Sequence, residues 1–258
     1  MCLILIAHQF TDQTPLLVLA NRDEFYDRPT AAAALWEECG ELIAGRDLVS
    51  GGSWFGTRGL RWASVTNFRE SMKNHHSHRS RGWLVRDYLL SDDAPQDFLI
   101  NVAEQGSEYA GFNLLLGDPH GLWYFSNSSA ADDGPMRLTP GIYGLSNAQL
   151  DTPWPKVSLG KQRLQTLLES GTMEHDQLAA VVGDQRLADP EELREHGMGD
   201  GMDLLLSAQF IVTGRYGTRA STTLWTTGGG LASWRELSFD ARGCVRGVQE
   251  QRFSIGEA

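Results

Sequence analysis

Cysteine is scarce in this chain: Cys2, Cys39 and Cys244 make an odd count at wide spacing in 258 residues. Such a set neither builds a disulfide framework nor supplies the CxxC pairs of a zinc site. Long apolar runs are missing too. No stretch approaches the roughly 18 residues of a membrane span, and the start lacks the basic region of a secretory signal, so a cytoplasmic protein is expected. Basic charge is in deficit: 22 Lys and Arg against 33 Asp and Glu give a net charge of -11, spread along the chain with no acidic tail. That balance argues against an electrostatic nucleic-acid surface. The glycine-rich stretch 51–56 lacks GxGxxG spacing and is followed by no Gly-Lys-Ser/Thr, which argues against a phosphate cradle. Internal repeats are also absent. What is present is a hydrophobic fraction of 41%, enough at this length for a sizeable core and a single domain over residues 1–258.

The chain is organised around its first twenty-four residues. Cys2 opens an apolar run, 3–7, and a small residue after the initiator Met lets that Met be trimmed. One residue would then carry both thiol and α-amine, with unperturbed pKa values of about 8.5 and about 7.7 to 8.0, so that the amine can take the proton of the attacking sulfur. The bland alternative is a small hydrophobe packed in a strand. Residues 11–15 read as a hairpin turn, and the second run, 16–20, would return antiparallel and bring Asn21-Arg22-Asp23-Glu24 back to Cys2. With a strand period of two, Asn21 and Asp23 share one face and Arg22 and Glu24 the other. A carboxylate could hold the α-ammonium and an Arg near the thiol would lower its pKa; a solvated strand end with a local Arg–Glu pair is the plainer reading.

Farther along, residues 30–65 read as strands and turns. The glycines at 51–56 suggest a tight turn that brings backbone towards a pocket, with Trp54 and Phe55 as its wall or as ordinary core. Asn67 ends an apolar strand, and a neutral strand-end amide suits an oxyanion donor or a turn cap equally. Three of the seven histidines, His75, His76 and His78, crowd one polar run. Neutral imidazole can ligate a metal or haem, but a run without apolar periodicity reads more simply as an exposed loop, and no bound metal is assigned. Ser80 reads as the N-cap of a helix over 81–90, followed by a helix over 95–106. Runs 112–117 and 121–126 flank a hairpin turn and are expected to begin a second sheet. A short strand over 141–147 ends in Asn147. Helices are expected over 156–170 and 177–182, then a long exposed insertion over 189–202, a lid or partner contact. The end returns to strands at 209–212, 221–225 and 232–239.

Taken together, Met1-Cys2, Asn21-Arg22-Asp23-Glu24 with Arg28-Pro29, Thr66-Asn67-Phe68-Arg69, Ser80-Arg81-Gly82, Gly144-Leu145-Ser146-Asn147 with Asp151-Thr152-Pro153-Trp154-Pro155-Lys156, and Tyr216-Gly217-Thr218-Arg219 resemble the NRDE family, that of the transport and Golgi organisation protein two. The motifs run in the family's order over most of the chain. The resemblance implies an α+β, four-layer αββα fold of the N-terminal-nucleophile (Ntn) hydrolase type. It implies a site of Cys2, Arg22, Asp23, Asn67, Asn147 and Arg219, in which Asn67 and Asn147 resemble the oxyanion and amide partners of Ntn acylases. Trp54, Phe55, Phe68 and Trp154 would make its pocket partly apolar, suited to a long or aromatic acyl group. The implied activity is hydrolysis or transfer of an acyl group from an amide or thioester, with no cofactor required. The alternative is a binding and trafficking protein for haem or a lipid-like, acyl-coenzyme A ligand. Haem would then be ligated through the loop histidines, His8 or the Cys2 thiolate. One departure stands out: the acylases separate Arg and Asp by two residues, whereas Arg22 and Asp23 are adjacent and would diverge on a regular strand, so either a β-bulge re-aims one of them or Asp23 alone serves the α-amine and Arg22 has another task.

The small residue at position 2 predicts that Met1 is missing from protein made in cells with normal aminopeptidase. Intact-mass spectrometry reads this directly; retention of Met1 in most molecules would remove the proposed base.

Overall fold

The computed structural model describes residues 2–69, 79–128, 134–171, 173–199 and 201–254. The histidine run 75–78 lies outside them. In chain order the elements are β1 (Cys2–Thr11), β2 (Thr14–Phe25), β3 (Thr30–Trp36), β4 (Cys39–Asp47), β5 (Phe55–Arg58) and β6 (Arg61–Asn67). Two helices follow, α1 (Gly82–Leu90) and α2 (Pro95–Glu104), then β7 (Phe112–Asp118), β8 (Gly121–Ser126), β9 (Met136–Leu138) and β10 (Gly141–Leu145). The remainder is α3 (Pro155–Glu169), α4 (His175–Val181), α5 (Pro190–Glu195), α6 (Met202–Leu205), β11 (Tyr216–Thr226), β12 (Leu231–Phe239) and β13 (Val245–Ser254). The class is α+β with two antiparallel sheets, and among the described residues no helix is long and apolar enough to cross a membrane.

The chain divides into two compact units. The first is discontinuous, comprising residues 1–27, 140–146 and 150–258. Its six-stranded sheet has the order β10-β1-β2-β11-β12-β13. Leu3 to Ala7 of β1 and Leu17 to Ala20 of β2 are buried without alternation, as continuous apolar runs are when both faces of a strand are covered. One of these faces carries Leu3, Leu5, Leu19 and Asn21, placed together by the β1–β2 register. Helix α3 packs on it, and the approach is so close that a Cβ on Gly160 would lie 2.7 Å from Leu5 Cδ1. A larger residue at that position would have to push aside the Leu5 and Gln209 side chains.

The second unit, residues 28–139 and 147–149, holds the seven-stranded sheet β3 to β9 in chain order. Helices α1 and α2 press Leu84, Tyr88, Leu89 and Leu99 against Leu114 and Phe112. The Tyr88 hydroxyl donates to the Gly117 carbonyl at 3.2 Å, and burial pushes it well above the usual phenol range. The turn at Gly51 and Gly52 makes a close backbone approach, but to the start of α1: a Cβ on Gly52 would sit 2.4 Å from the Gly82 carbonyl carbon.

Several expectations need correction. The first turn is only Asp12 and Gln13; both strands run longer, and Pro15 sits at the register irregularity next to the Thr11–Thr14 pair, where its missing N–H is tolerated. Ser80 is not the cap of α1: Arg81 occupies that position in helical conformation, with no side-chain cap. The β7–β8 hairpin does not start a second sheet. Pairing of Thr66 with Asn113 joins it to β6, because a hairpin signal fixes the local pair and not the sheet it enters. Within the expected insertion over 189–202, residues 189–199 are anchored rather than wholly exposed, with α5 capped by the Asp189 carboxylate and with Leu193 and Met198 buried. Residues 209–212 form only an isolated bridge, Val212 to Gly217, since Ile211 N–H is taken by Thr218 Oγ1 and Phe210 N–H by the Asp184 carbonyl. Strand β13 was not anticipated; its exposed, charged sequence lacks alternation.

Helix α4 brings His175 onto the first unit's sheet, its ring nitrogens 2.6 Å from Thr223 Oγ1 and 3.0 Å from Ser233 Oγ. Burial, aided by the Arg235 charge, lowers its pKa from 6.5 to about 4. Folded His175 is therefore neutral while the unfolded chain takes up a proton below about pH 6.5, so stability falls as pH drops from about 6.5 towards 4. Urea denaturation at about pH 7.5 and about pH 5 should show the native chain losing more stability than His175→Gln. Equal losses would contradict a neutral, buried imidazole.

Candidate active site

The site is built where β1 begins. The register sets Cys2 opposite Arg22, and directly opposed residues of an antiparallel pair share a face. Arg22 is 5% exposed and its Nη2 lies 3.9 Å from Glu24 Oε2. The Asp23 backbone N–H hydrogen-bonds the Cys2 sulfur, and the Ser146 hydroxyl donates to the Cys2 carbonyl at 2.8 Å. Cys2 is half-buried as a residue. Burial of the thiol pushes its pKa up, as does the Asp23 charge, while the Asp23 amide and Arg22 pull it down.

Asn21 and Asp23 take the helix-covered face. Asn21 Nδ2 donates to the carbonyls of Val182 (2.8 Å) and Gln209 (2.9 Å), and its Oδ1 accepts from Ser221 Oγ at 2.5 Å. Asp23, 4% exposed, accepts from Thr218 Oγ1 at 2.7 Å. The register irregularity lies on the partner strand, where Thr218 opposes Asp23 and Ala220 opposes Arg22 and Arg219 is the extra residue; it does not re-aim Arg22 or Asp23, which stay on opposite faces of β2. Arg219 turns elsewhere, its Nη1 donating to the Phe25 carbonyl at 2.9 Å and its guanidinium standing 5.8 Å from the Tyr26 ring centroid.

Sequence reasoning missed Lys156. It stands in the first turn of α3, 4% exposed, with Nζ donating to the Leu206 carbonyl at 3.0 Å. Burial lowers its pKa, opposed by the charges of Asp23 and Cys2. Burial likewise raises that of Asp23, opposed by Lys156, Thr218 and Arg22. A signal was available, because a lysine in a helix's first turn opposes the helix dipole. Beside it opens a groove of about 430 Å³, lined by Pro155, Lys156, Leu159, Asp184, Leu187 and Gln209 among others. Trp154, 6% exposed, is the N-cap residue of α3. His8 is buried on β1, between Leu16 and Gly141 in register.

The other predicted residues belong to the second unit. Asn67 is exposed at the end of β6, and Asn147, 3% exposed, donates from Nδ2 to the Asn67 carbonyl at 2.6 Å while its own carbonyl accepts from Arg69 N–H. Phe55 packs on Trp62 in the core, Trp54 gives its carbonyl to Val65 N–H and Ser64 Oγ, and Phe68 is half-buried. Among the described residues no group of three or more His, Cys, Asp or Glu is placed to hold a metal.

A family model described as Transport and Golgi organisation 2 matches residues 1–240. The Transport and Golgi organization protein 2 homologs of Bos taurus and Homo sapiens are 36% and 35% identical to the chain over 241 residues, 86% of it and 86% of each relative. Transport and Golgi organization protein 2 of Drosophila melanogaster is 24% identical over 177 residues, 60% of this chain and 59% of its own.

Thr218 bonds both Asp23 and the Ile211 amide. Thr218→Val should therefore cost about 3 kcal/mol in chemical denaturation, since a hydrogen bond to a buried carboxylate is lost and an amide is left unsatisfied. Thr218→Ser should cost less than about 1 kcal/mol. Equal losses would show that the methyl group matters as much there as the hydroxyl and would contradict the hydrogen-bonding account.

Proposed function

The chain belongs to the Transport and Golgi organisation 2 family, and from that premise we propose that it is an Ntn-type cysteine hydrolase or transferase acting on acyl amides or thioesters, with the four-layer αββα arrangement as its scaffold. The observation that carries the reading is the setting of Cys2: a sulfur that accepts the Asp23 amide, opposite Arg22, with the charges of Asp23 and Lys156 acting on the same buried cluster.

Because burial raises the thiol, the resting sulfur is protonated and needs a base at hand. With Met1 removed, the α-amine of Cys2 takes the S–H proton as sulfur bonds to the carbonyl carbon and the carbonyl oxygen becomes an oxyanion. Collapse breaks the C–N or C–S bond, and the leaving amine or thiol departs with that proton. Water then attacks the thioester, again passing a proton to the amine, and releases the acid with the thiol restored; an acceptor nucleophile in place of water gives transfer. In this scheme Asp23 fixes the α-ammonium. Asn67 and Asn147 are carried as oxyanion donors by their resemblance to Ntn acylases, and Arg219 as a late-chain arginine of that group. An acyl or lipid-like small molecule as substrate is carried by the resemblance, and the groove beside Lys156, with Pro155, Leu159 and Leu187 in its lining, supports a partly apolar small molecule. The other outcome, implied by the same resemblance, is a carrier of a lipid-like or haem ligand on the same scaffold; the relatives' printed name speaks of transport and Golgi organization and names no ligand.

A panel of acyl amides and acyl thioesters of graded chain length separates the two. Native protein with a verified Cys2 terminus should turn over the longer members, and Cys2→Ser should bind them but lose most turnover. Asn147→Ala should lower kcat about a hundredfold, with a smaller effect on KM, if its amide serves the transition state. A panel left wholly intact would sink the hydrolase reading and leave the carrier.

A further inference from the structure

A sheet edge presents backbone N–H and C=O groups to any strand that can reach it, so folded chains keep their edges short, bulged or charged. The two sheets of this chain end in β10 and β13, and in β3 and β9. Strand β9 has three residues, β10 has five, and β3 changes register twice along β4. Strand β13 is the exception in length, with ten. Its one irregularity falls at its start, where Ser238 opposes Gly247 and Phe239 opposes Val245, leaving Arg246 as the extra residue. From Gly247 to Ser254 the ladder with β12 is unbroken and holds no proline, and among the described residues no strand pairs with its far side. What guards that stretch is charge, and the charge is of both signs.

Glu250 and Arg252 stand opposite Arg235 and Ser233 of β12, so both occupy the face on which His175 of α4 lies. Both are exposed. Arg235 lies between two carboxylates, with Nη1 2.6 Å from Asp176 and Nε 3.1 Å from Glu250. Signs therefore alternate outward from α4 through Asp176, Arg235 and Glu250, and the next place in that alternation, one strand beyond β13, suits a cation. We infer that a second copy of this chain supplies it: two molecules join edge to edge by antiparallel pairing of β13 about a two-fold axis beside Gln251. In that register Glu250 of each copy faces Arg252 of the other, Gln249 faces Phe253, and the two Gln251 side chains meet on the axis. Directly opposed residues of an antiparallel pair share a face, so such an axis passes beside a residue, and the neighbouring choices are worse. Beside Glu250 or Arg252 it sets like charge on like charge, and beside Gln249 it leaves Glu250 against Val248. Guard charges of a single sign would repel a second copy; these attract it in one register and resist the adjacent ones. An interface of one strand pair lies at the low end of specific interfaces, so the dimer is weak and depends on concentration.

Sedimentation equilibrium of the native chain should show the mass rising from 28.5 kDa towards twice that value with concentration. Glu250→Arg sets Arg against Arg252 of the second copy and should weaken the dimer roughly tenfold or more, as should Arg252→Glu. The double exchange, Glu250→Arg with Arg252→Glu, restores opposite charges across the axis and should return the dimer to near its native strength. A native chain that stays monomeric up to its solubility limit overturns the inference, whether or not another protein's strand takes the edge. So does a dimer indifferent to the folded single variants. Should those variants fail to fold, the register is read by oxidation of Gln251→Cys in a Cys2→Ser, Cys39→Ser, Cys244→Ser background. On the axis the two Cα atoms would lie about 4.5 to 5.5 Å apart, within disulfide reach, so this variant should cross-link to a covalent dimer. Gln249→Cys in the same background should not, because its counterpart lies about 13 Å away along the strands. Cross-linking that fails at 251, or that is as fast at 249, overturns the inference.

Discussion

Everything at the start of this chain depends on one antiparallel pairing, that of β1 with β2. Its apolar residues are buried on both faces, each large aliphatic side chain contributing on the order of 2 kcal/mol, so the pair cannot slide without exposing one set to water. Asn21 adds a polar lock. Its three hydrogen bonds, to Val182, Gln209 and Ser221, can all be made only in the observed register. A slip of one residue would turn that amide to the wrong face. The same register sets Cys2 opposite Arg22 and lays the Asp23 amide on the sulfur.

The tetrad Asn21 to Glu24 is therefore four residues with four separate tasks rather than one catalytic block. Asn21 fastens the strand, and Arg22 shares the thiol's face. Asp23 takes its hydroxyl partner from β11 and its counter-charge from α3, while Glu24 engages Arg22 and caps the Phe25 amide. Burying a thiol, a carboxylate and an ammonium together sets desolvation, which drives each towards its neutral form, against their mutual attraction. Protonation in such a cluster belongs to the group as a whole.

Much of this was legible in the residues, and the parts that were not have physical reasons. Two unbroken apolar runs around Asp12 and Gln13 announced the hairpin, and its length carried the tetrad back to Cys2. The β7–β8 hairpin was equally clear from Asp118-Pro119-His120, yet its membership of the β3–β6 sheet rests on the Thr66–Asn113 pairing, which no local signal encodes. Phe210 and Ile211 look like strand because they are buried, but side-chain and loop partners replace the ladder there. Strand β13 is stabilised by backbone pairing to β12 and displays no apolar face, so periodicity could not find it. Lys156 offered only the hint of a cation in a first helical turn, since its hydrogen-bond partner, Leu206, is remote in sequence.

The discontinuity of the first unit bears on how the chain is made. Synthesis delivers β1 and β2 first, but β2 gains its second neighbour only when residues 216–226 emerge, near the opposite end of the polypeptide. The intervening 28–139 segment contains every strand of the other sheet and can complete its ladder meanwhile. On the ribosome the hairpin bearing Cys2 is consequently an open apolar edge for most of translation, held back by the loop-closure entropy of a very long excursion. The pairing of β2 with β11 therefore waits on most of the chain, and until it forms the β2 edge is an unpaired apolar strand of the kind that chaperones shield.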